Sequence, residues 1–267
     1  MKNWKLIALL AAALAGAGPQ EEATGRYANV NGLKIYYEIH GVGKPLVLLH
    51  GAFGWAATYP ALAKDRQVIA VELQGHGHTG DIDRPLSYEQ LADDVAALLK
   101  HLKIGKADIF GYSMGGTVAL GVAARHPGLA GRVAVFGSHA GRIDDSYNPE
   151  ILAQFKALPA DFAPPFLKEP YDKVAPDPSK WPALVAKIKK MALEWNGYTP
   201  DQLKSIKARV LITLGDNDAP SVEHATAMFR RIPGSQLAVF PGADHFLPVQ
   251  DPDRLLPTIA RFLDSDK

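Results

Sequence analysis

The sequence contains no cysteine among its 267 residues. This absence excludes disulfides, a thiol nucleophile, a cysteine-ligated metal and a lipid-modified N-terminal cysteine. The chain also lacks an excess of charge of either sign, because 29 Lys and Arg residues stand against 28 Asp and Glu residues, for a net charge of +1. Such a balance gives no basic surface for a nucleic acid, so we expect no nucleic-acid partner.

Nucleotide-binding motifs are missing as well, since the sequence has neither a phosphate-binding glycine loop nor a dinucleotide fingerprint. The best candidates for a metal site are His76 and His78, with Asp81 and Asp83 nearby. Two histidines one residue apart in a glycine-rich loop are not pre-organised as ligands, and zinc needs three or four that converge. We therefore expect no cofactor and no metal, and a loop-bracing or pocket-lining role for these histidines.

The N-terminus combines a basic start with a short apolar run. Lys2 and Lys5 precede an apolar core over residues 6–14, and small residues follow up to Ala17. This pattern predicts a secretory signal peptide over residues 1–17. The run is short for a membrane span, although an N-terminal membrane anchor is the alternative. We expect export to a bacterial periplasm or the medium, with no stable membrane insertion once the signal is removed.

The most informative segment is Gly-Tyr-Ser-Met-Gly at residues 111–115. An apolar, strand-like run at residues 107–110 precedes it, and a small-residue helical pattern at residues 117–124 follows it. A serine on a sharp turn between strand and helix exposes its hydroxyl, and the next N–H is placed to stabilise an oxyanion. The sequence therefore predicts Ser113 as a nucleophile and the Met114 N–H as an oxyanion donor.

A serine nucleophile needs a base, and in this type of fold the order is serine, acid, histidine. The histidines after Ser113 are His126, His139, His224 and His245. His126 follows a helix and His224 lies in a helical pattern, so both are expected at the solvated surface, whereas His139 follows a strand and would line a pocket. His245 lies in a glycine-containing loop after the strand at residues 236–240, and it is our candidate for the base.

The acid is expected after another strand. The apolar run at residues 209–214 leads into Gly-Asp-Asn-Asp, which offers Asp216 and Asp218. We predict Asp218, further out on the loop, as the residue that orients His245, and Asp216 as a residue that caps the turn. Asp244 is expected to point away from its neighbour His245.

A second oxyanion donor is expected in the loop after the strand at residues 45–49, where His-Gly-Ala-Phe-Gly follows. Gly51 and Gly54 permit close approach of the backbone to a substrate carbonyl. The N–H of Ala52 is the first candidate and that of Phe53 the second. His50 is expected to bond the backbone of this loop.

Together these motifs resemble those of the α/β-hydrolase family, of the broad esterase, perhydrolase and lactonase type. The resemblance covers residues 27–267 and rests on five segments in family order: residues 50–54, 72–79, 111–115, 215–218 and 244–245. Glu72 replaces the family's usual aspartate, and His78-Thr79 replaces its usual Arg-Ser pair, which we expect to affect pocket shape. Haloalkane dehalogenases and epoxide hydrolases of this fold carry aspartate where this chain has Ser113.

Alternation of strands and helices predicts an α/β fold with a mostly parallel sheet covered by helices on both faces. Asn31-Gly32 predicts a hairpin before it, and helices are expected near residues 55–64 and over residues 88–101. The alternation breaks over residues 139–204, a stretch rich in proline and aromatic residues that resembles the family's helical cap. The lysines at 187–190 are expected on a solvated helix face. We thus expect one domain, residues 27–267, with a cap insertion.

These features favour a serine hydrolase that acts on a small-molecule carboxylic ester or lactone. An exported enzyme with an aromatic cap suggests a bulky substrate, and a macrolide lactone is one hypothesis. The alternatives with the same residues are perhydrolysis, C–C bond hydrolysis, and amide or β-lactam cleavage. A different class of alternative is a ligand-binding protein that keeps this fold without turnover.

Overall fold

The computed structural model describes residues 25–54 and 59–265. The predicted signal peptide, residues 1–17, and part of the helix predicted near residues 55–64 lie outside the described residues. Within the described part of the chain, no helix has both the length and the apolar character needed to cross a membrane.

The described residues form one eight-stranded sheet in the order β1-β2-β4-β3-β5-β6-β7-β8. The strands are β1 (Arg26–Val30), β2 (Leu33–His40), β3 (Lys44–Leu49), β4 (Arg66–Glu72), β5 (Ala107–Tyr112), β6 (Ala130–Phe136), β7 (Arg209–Asn217) and β8 (Gln236–Asp244). Only the pairs β1–β2 and β2–β4 are antiparallel, and the remaining pairs are parallel. The predicted mostly parallel sheet is confirmed, as is the hairpin, which turns at Asn31 and Gly32 with positive φ at both residues.

Helices cover both faces of the sheet. They are α1 (Tyr59–Leu62), α2 (Tyr88–His101), α3 (Met114–Arg125), α4 (Ile143–Ser146), α5 (Pro149–Lys156), α6 (Pro165–Val174), α7 (Trp181–Glu194), α8 (Pro200–Lys204), α9 (Val222–Arg231), α10 (Leu247–Gln250) and α11 (Pro252–Asp264). The bounds of α2 agree with the prediction, because Ser87 caps its N-terminus by accepting a hydrogen bond from the Gln90 N–H.

Two apolar layers form the core, one on each face of the sheet. Successive residues of a strand point to opposite faces, so Ile109 packs with α2 and α3 while Phe110 packs with α11. All six residues of β5 are buried. This burial explains why the central strands read as continuous apolar runs rather than as an alternating pattern.

The order of the strands brings two distant loops together. The chain passes from β3 to β4 on one side and then returns to β5 on the other, so β3 and β5 are parallel neighbours, with Leu49 beside Gly111. The loops at the carboxyl ends of these strands start from the same point, which is where open α/β sheets place their ligands. Residues 51–54 and Ser113 therefore lie next to each other.

Residues 137–208, which we call the insertion, connect β6 to β7 and contain α4 to α8. Their apolar side chains are buried against the body of the protein, including Trp181, Leu184 and Ile188. The ammonium of Lys187 donates to Asp81 Oδ2 at 2.6 Å and also to the Ile82 and Arg84 carbonyls. The prediction of a solvated lysine face is therefore wrong at Lys187, because this lysine ties the insertion to the loop after β4.

Candidate active site

Ser113 lies at the turn from β5 to α3, with φ 53° and ψ −121°. Residues other than glycine rarely adopt such a positive φ, so the backbone at Ser113 is strained. A Cβ on Gly111 would lie 2.4 Å from the Gly115 carbonyl oxygen, and one on Gly115 would lie 2.2 Å from the Leu49 carbonyl oxygen. Glycine is required at both positions because the helix starts against the two central strands.

The three residues predicted to act together are in contact. The hydroxyl of Ser113 lies 2.9 Å from His245 Nε2, and His245 Nδ1 lies 2.5 Å from Asp218 Oδ1. A carboxylate only accepts, so Nδ1–H donates to Asp218 and the lone pair of Nε2 faces the Ser113 hydroxyl. Asp218 is fully buried, whereas the side chain of His245 is 21% exposed. The geometry joins a buried anion, an imidazole and an accessible hydroxyl.

The carboxylate of Asp218 is held by the backbone of its own loop. Oδ2 accepts from the Gly215 N–H at 3.2 Å, and Oδ1 accepts from the Ala219 N–H at 2.6 Å. These bonds offset part of the cost of burying a charge. The prediction that Asp216 caps the turn is wrong, because its exposed side chain accepts from the Asn217 side chain, while Asp218 accepts from the backbone of the turn. The structure thus places Asp218, and not Asp216, against His245.

Residues at the ends of β5 and β6 fix the position of His245. The Tyr112 hydroxyl donates to the His245 carbonyl at 3.0 Å. Gly137, at the end of β6, has φ +59°, and a Cβ there would lie 2.8 Å from His245 Nδ1 and 3.0 Å from Asp218 Oδ2. Asp244 accepts from the Phe246 N–H at 2.8 Å rather than from the imidazole.

The two candidate oxyanion donors flank Ser113. Met114 is the first residue of α3, so its N–H has no acceptor within that helix. On the other side, a Cβ on Gly51 would lie 3.2 Å from the Ser113 Cβ, which places the loop after β3 directly against the serine. Ala52, the next residue, is half-buried at this position.

Phe53 holds this loop in an uncommon conformation. Its φ is 69°, in the left-handed region. The Phe53 ring packs against Phe162 at 5.9 Å and against Trp181 at 5.2 Å between ring centroids. The indole N–H of Trp181 in turn donates to the Phe162 carbonyl at 2.8 Å. Aromatic residues of the insertion therefore anchor the loop that carries Ala52.

His50 and His76 brace the neighbouring backbone, as the sequence predicts. Nδ1–H of His50 donates to the Gly51 carbonyl at 2.7 Å, and its Nε2 accepts from the Leu73 N–H at 3.0 Å. Nδ1–H of His76 donates to the Gln74 carbonyl, and its ring packs 4.7 Å from that of His50. Burial lowers the pKa of His50 to about 4 and that of His76 to about 3, so both rings are neutral.

The two departures from the family pattern, Glu72 and His78, pair with each other. The carboxylate of Glu72 accepts from the His78 N–H at 2.5 Å and lies 3.2 Å from His78 Nδ1. The ring of His78 stacks on Tyr36 of β2 at 4.1 Å. These contacts brace the loop after β4 against β2.

Two further histidines surround the end of β6. His139 is buried, where its Nδ1–H donates to the Gly141 carbonyl and its Nε2 accepts from the Tyr88 hydroxyl. The prediction that His224 is solvated is wrong, because its Nε2 accepts from the Ala140 N–H at 3.1 Å and it is only partly exposed. The insertion packs against the face of α9 that carries His224, and the helical pattern of the sequence does not predict this contact. Burial lowers the pKa of both imidazoles to about 4.

Sequence reasoning missed the residues that support the loop of Asp218. The side-chain amide of Asn148 donates to the Asp218 carbonyl at 2.6 Å, and Gly137 leaves room for His245 and Asp218. Asn148 precedes Pro149 at the start of α5, which reads in the sequence as an ordinary helix start. Its contact joins residues 70 positions apart and has no local signal.

Comparison with known proteins agrees with this architecture. The profile of the Alpha/beta hydrolase family matches residues 46–258. The enol-lactonase of Burkholderia xenovorans LB400 is 25% identical, with a TM-score of 0.72 over 90% of this chain and 100% of that one. A thermophilic esterase from Thermogutta terrifontis is 26% identical, with a TM-score of 0.67 over 90% of this chain and 98% of that one.

A curated relative matches over a shorter segment. The dihydrolipoyllysine-residue acetyltransferase component of the acetoin cleaving system of Pseudomonas putida is 38% identical over 148 residues. This match covers 53% of the chain and 40% of the relative, so the chain spans less than half the length of that protein.

The aromatic anchor of the loop after β3 is testable by substitution at Phe53. Phe53→Ala removes the ring but keeps a Cβ at a positive φ, whereas Phe53→Gly removes the ring and relieves the strain. We expect both variants to be less stable than the wild type, and Phe53→Ala to be less stable than Phe53→Gly by about 1 kcal/mol. Urea unfolding of the three proteins measures this order, and a Phe53→Ala variant as stable as the wild type would contradict it.

The buried neutral histidines predict loss of stability in mild acid. Because the pKa of His50, His76, His139 and His224 is lower in the folded protein than the ordinary 6.5, the unfolded chain takes up protons first as the pH falls. Stability is therefore full above pH 6.5 and decreases toward pH 4. We expect a loss of about 1 kcal/mol or more per histidine between pH 7 and pH 5.

The check is the urea midpoint at the two pH values. His224→Gln, which keeps an acceptor for the Ala140 N–H, is expected to weaken the pH dependence, while the exposed His101→Gln serves as the control. A midpoint that does not change from pH 7 to pH 5 would show that these imidazoles are not buried as described.

Proposed function

Because the chain belongs to the alpha/beta hydrolase family, we propose that it is a serine hydrolase that cleaves carboxylic esters and lactones of the small-molecule class. Ser113 is the nucleophile, His245 the general base and acid, and Asp218 the residue that orients His245. The observation that carries this proposal is the unbroken line of contacts from Asp218 through His245 to Ser113, at 2.5 Å and 2.9 Å.

In the first half of the reaction, Ser113 Oγ attacks the ester carbonyl carbon while its proton passes to His245 Nε2. The carbonyl oxygen becomes an oxyanion and accepts hydrogen bonds from the N–H groups of Met114 and Ala52. The bond from the carbonyl carbon to the alkoxy oxygen then breaks, and the alcohol leaves with the proton from Nε2. The product at this stage is an acyl-enzyme on Ser113.

In the second half, water replaces the alcohol. Nε2 takes a proton from the water as its oxygen attacks the acyl carbon, and the bond to Ser113 breaks as Oγ recovers the proton. The carboxylic acid is released and the free enzyme returns. Throughout, Asp218 keeps Nδ1 protonated and stabilises the imidazolium without taking up the proton itself.

Several features support an ester rather than a halide or an epoxide as the substrate. The nucleophile position holds a serine, which forms an acyl-enzyme. Water can then hydrolyse this acyl-enzyme by attack at the acyl carbon. The similar enol-lactonase and esterase are named for cleavage of such bonds. Large aromatic side chains of the insertion, Phe162 and Trp181, pack on the loop beside Ser113. The proposal therefore extends to bulky apolar esters, of which a macrolide lactone is one case.

The site of action that we propose is outside the cytoplasm, in the periplasm or the medium. The support for this part of the proposal is the sequence pattern of residues 1–17, with its basic start, apolar core and small residues.

The first test is the turnover of p-nitrophenyl esters by the Ser113→Ala variant. Removal of the nucleophile is expected to lower kcat by several orders of magnitude, to a rate close to that of buffer. Ser205→Ala is the matched control, because Ser205 is an exposed serine at the end of α8, and this variant should keep wild-type activity. Circular dichroism establishes that both variants fold. Retained ester turnover in folded Ser113→Ala would overturn the assignment.

The role of the acid is tested by comparing Asp218→Asn with Asp216→Asn. Asparagine at 218 changes the hydrogen bond to Nδ1 and favours the wrong tautomer of His245, so kcat should fall by roughly four orders of magnitude. Asp216 is exposed and bonds only Asn217 among the described residues, so its substitution should leave kcat within about twofold. The reverse order of effects would assign the acid to Asp216.

A further inference from the structure

A short antiparallel contact ties the insertion to the loop of Asp218. We call residues 146–148 the strap. The Ser221 N–H donates to the Ser146 carbonyl at 2.8 Å, and the Asn148 N–H donates to the Ala219 carbonyl at 2.9 Å. The strap is thus held by backbone hydrogen bonds at both of its ends, so the position of its middle residue is fixed relative to the site.

That middle residue is Tyr147, which pairs with Pro220 in an isolated antiparallel bridge. Its ring meets the ring of His139 edge to face, with centroids 5.4 Å apart and planes at 87°. His139 follows β6 two residues after Gly137, which itself lies against His245 and Asp218. Tyr147 therefore lies on the side of the site formed by the ends of β6 and β7.

The hydroxyl of Tyr147 differs from those of nearby tyrosines. The Tyr88 hydroxyl donates to His139, that of Tyr112 donates to the His245 carbonyl, and that of Tyr198 donates to the Thr117 carbonyl. Within the described part of the chain, Tyr147 makes no such hydrogen bond, and the residue is half-buried. A polar group so close to the site is available to a ligand.

The Tyr147 hydroxyl also keeps its proton, so it can donate a hydrogen bond. Burial and, after it, the negative charge of Asp218 raise the pKa of Tyr147 above its ordinary value of 10. The phenol is therefore neutral at the pH at which an ester hydrolase works. Its proton has no acceptor on the neighbouring His139, because both ring nitrogens of that histidine are already bonded.

We propose that Tyr147 is a specificity-determining residue whose hydroxyl donates a hydrogen bond to a second oxygen of the substrate, apart from the scissile carbonyl. The substrate class is then an ester or lactone that carries an ether, carbonyl or carboxylate oxygen near the cleaved bond. This inference rests on the proposed function. A site that offers such a donor discriminates against an analogue without the oxygen, because the donor is then left unpaired.

The test is the Tyr147→Phe variant, which removes only the hydroxyl, with two pairs of nearly isosteric esters. p-Nitrophenyl methoxyacetate and p-nitrophenyl butyrate differ by one oxygen in the acyl group. Methoxyethyl butyrate and butyl butyrate differ by one oxygen in the alcohol. We expect kcat/KM to fall about tenfold for the oxygen-bearing member of at least one pair, and by less than about twofold for both all-carbon esters.

Tyr171→Phe is the matched control, because it removes a phenol hydroxyl from another part of the insertion, where the ring packs on Trp181. It should not change the ratio of kcat/KM within either pair. Equal losses for both members of each pair, or no loss for any ester, would overturn the role of Tyr147 while ester hydrolysis stands. If the wild type cleaves none of the four esters above the rate in buffer, the proposed function fails, and this inference fails with it.

Discussion

The backbone turn at Ser113 is the constraint on which the rest of the site depends. Its positive φ brings the chain from the central strand β5 directly into α3, and it leaves the hydroxyl at the carboxyl edge of the sheet. Such strain costs of the order of 1–3 kcal/mol and persists only where the surroundings hold it. Here the surroundings are the glycines at 111 and 115, whose missing side chains allow the helix to start against β3 and β5.

Once the turn is in place, the loops that follow other parallel strands of the sheet supply the remaining groups of the site. The loop after β7 carries Asp218, the loop after β8 carries His245, and the loop after β3 carries Ala52. Each loop is held by a contact from elsewhere: Asn148 bonds the Asp218 carbonyl, Tyr112 bonds the His245 carbonyl, and Phe53 packs on Trp181. Two of these three contacts come from the insertion, so the insertion supports the loops that carry Asp218 and Ala52.

Local patterns predicted the mostly parallel sheet, the hairpin, α2 and the contact of Ser113, His245 and Asp218, because turn residues, apolar strands and helical spacing are recognisable within short windows of the sequence. The same reasoning failed at His224, where the helical pattern gave no sign that the Ala140 N–H would bond the imidazole. It also gave no sign of the strap or of the contact of Phe53 with Phe162. These features depend on how the insertion folds back onto the body, and no spacing within a short window encodes that packing.

The central claim is that Ser113 is an activated nucleophile. The most direct measurement is the intact mass of the protein after incubation with a fluorophosphonate, which forms a covalent bond with activated serines. The account predicts one adduct per chain in the wild type and none in Ser113→Ala. A folded wild type that stays unlabelled, or an adduct that persists in Ser113→Ala, would contradict it.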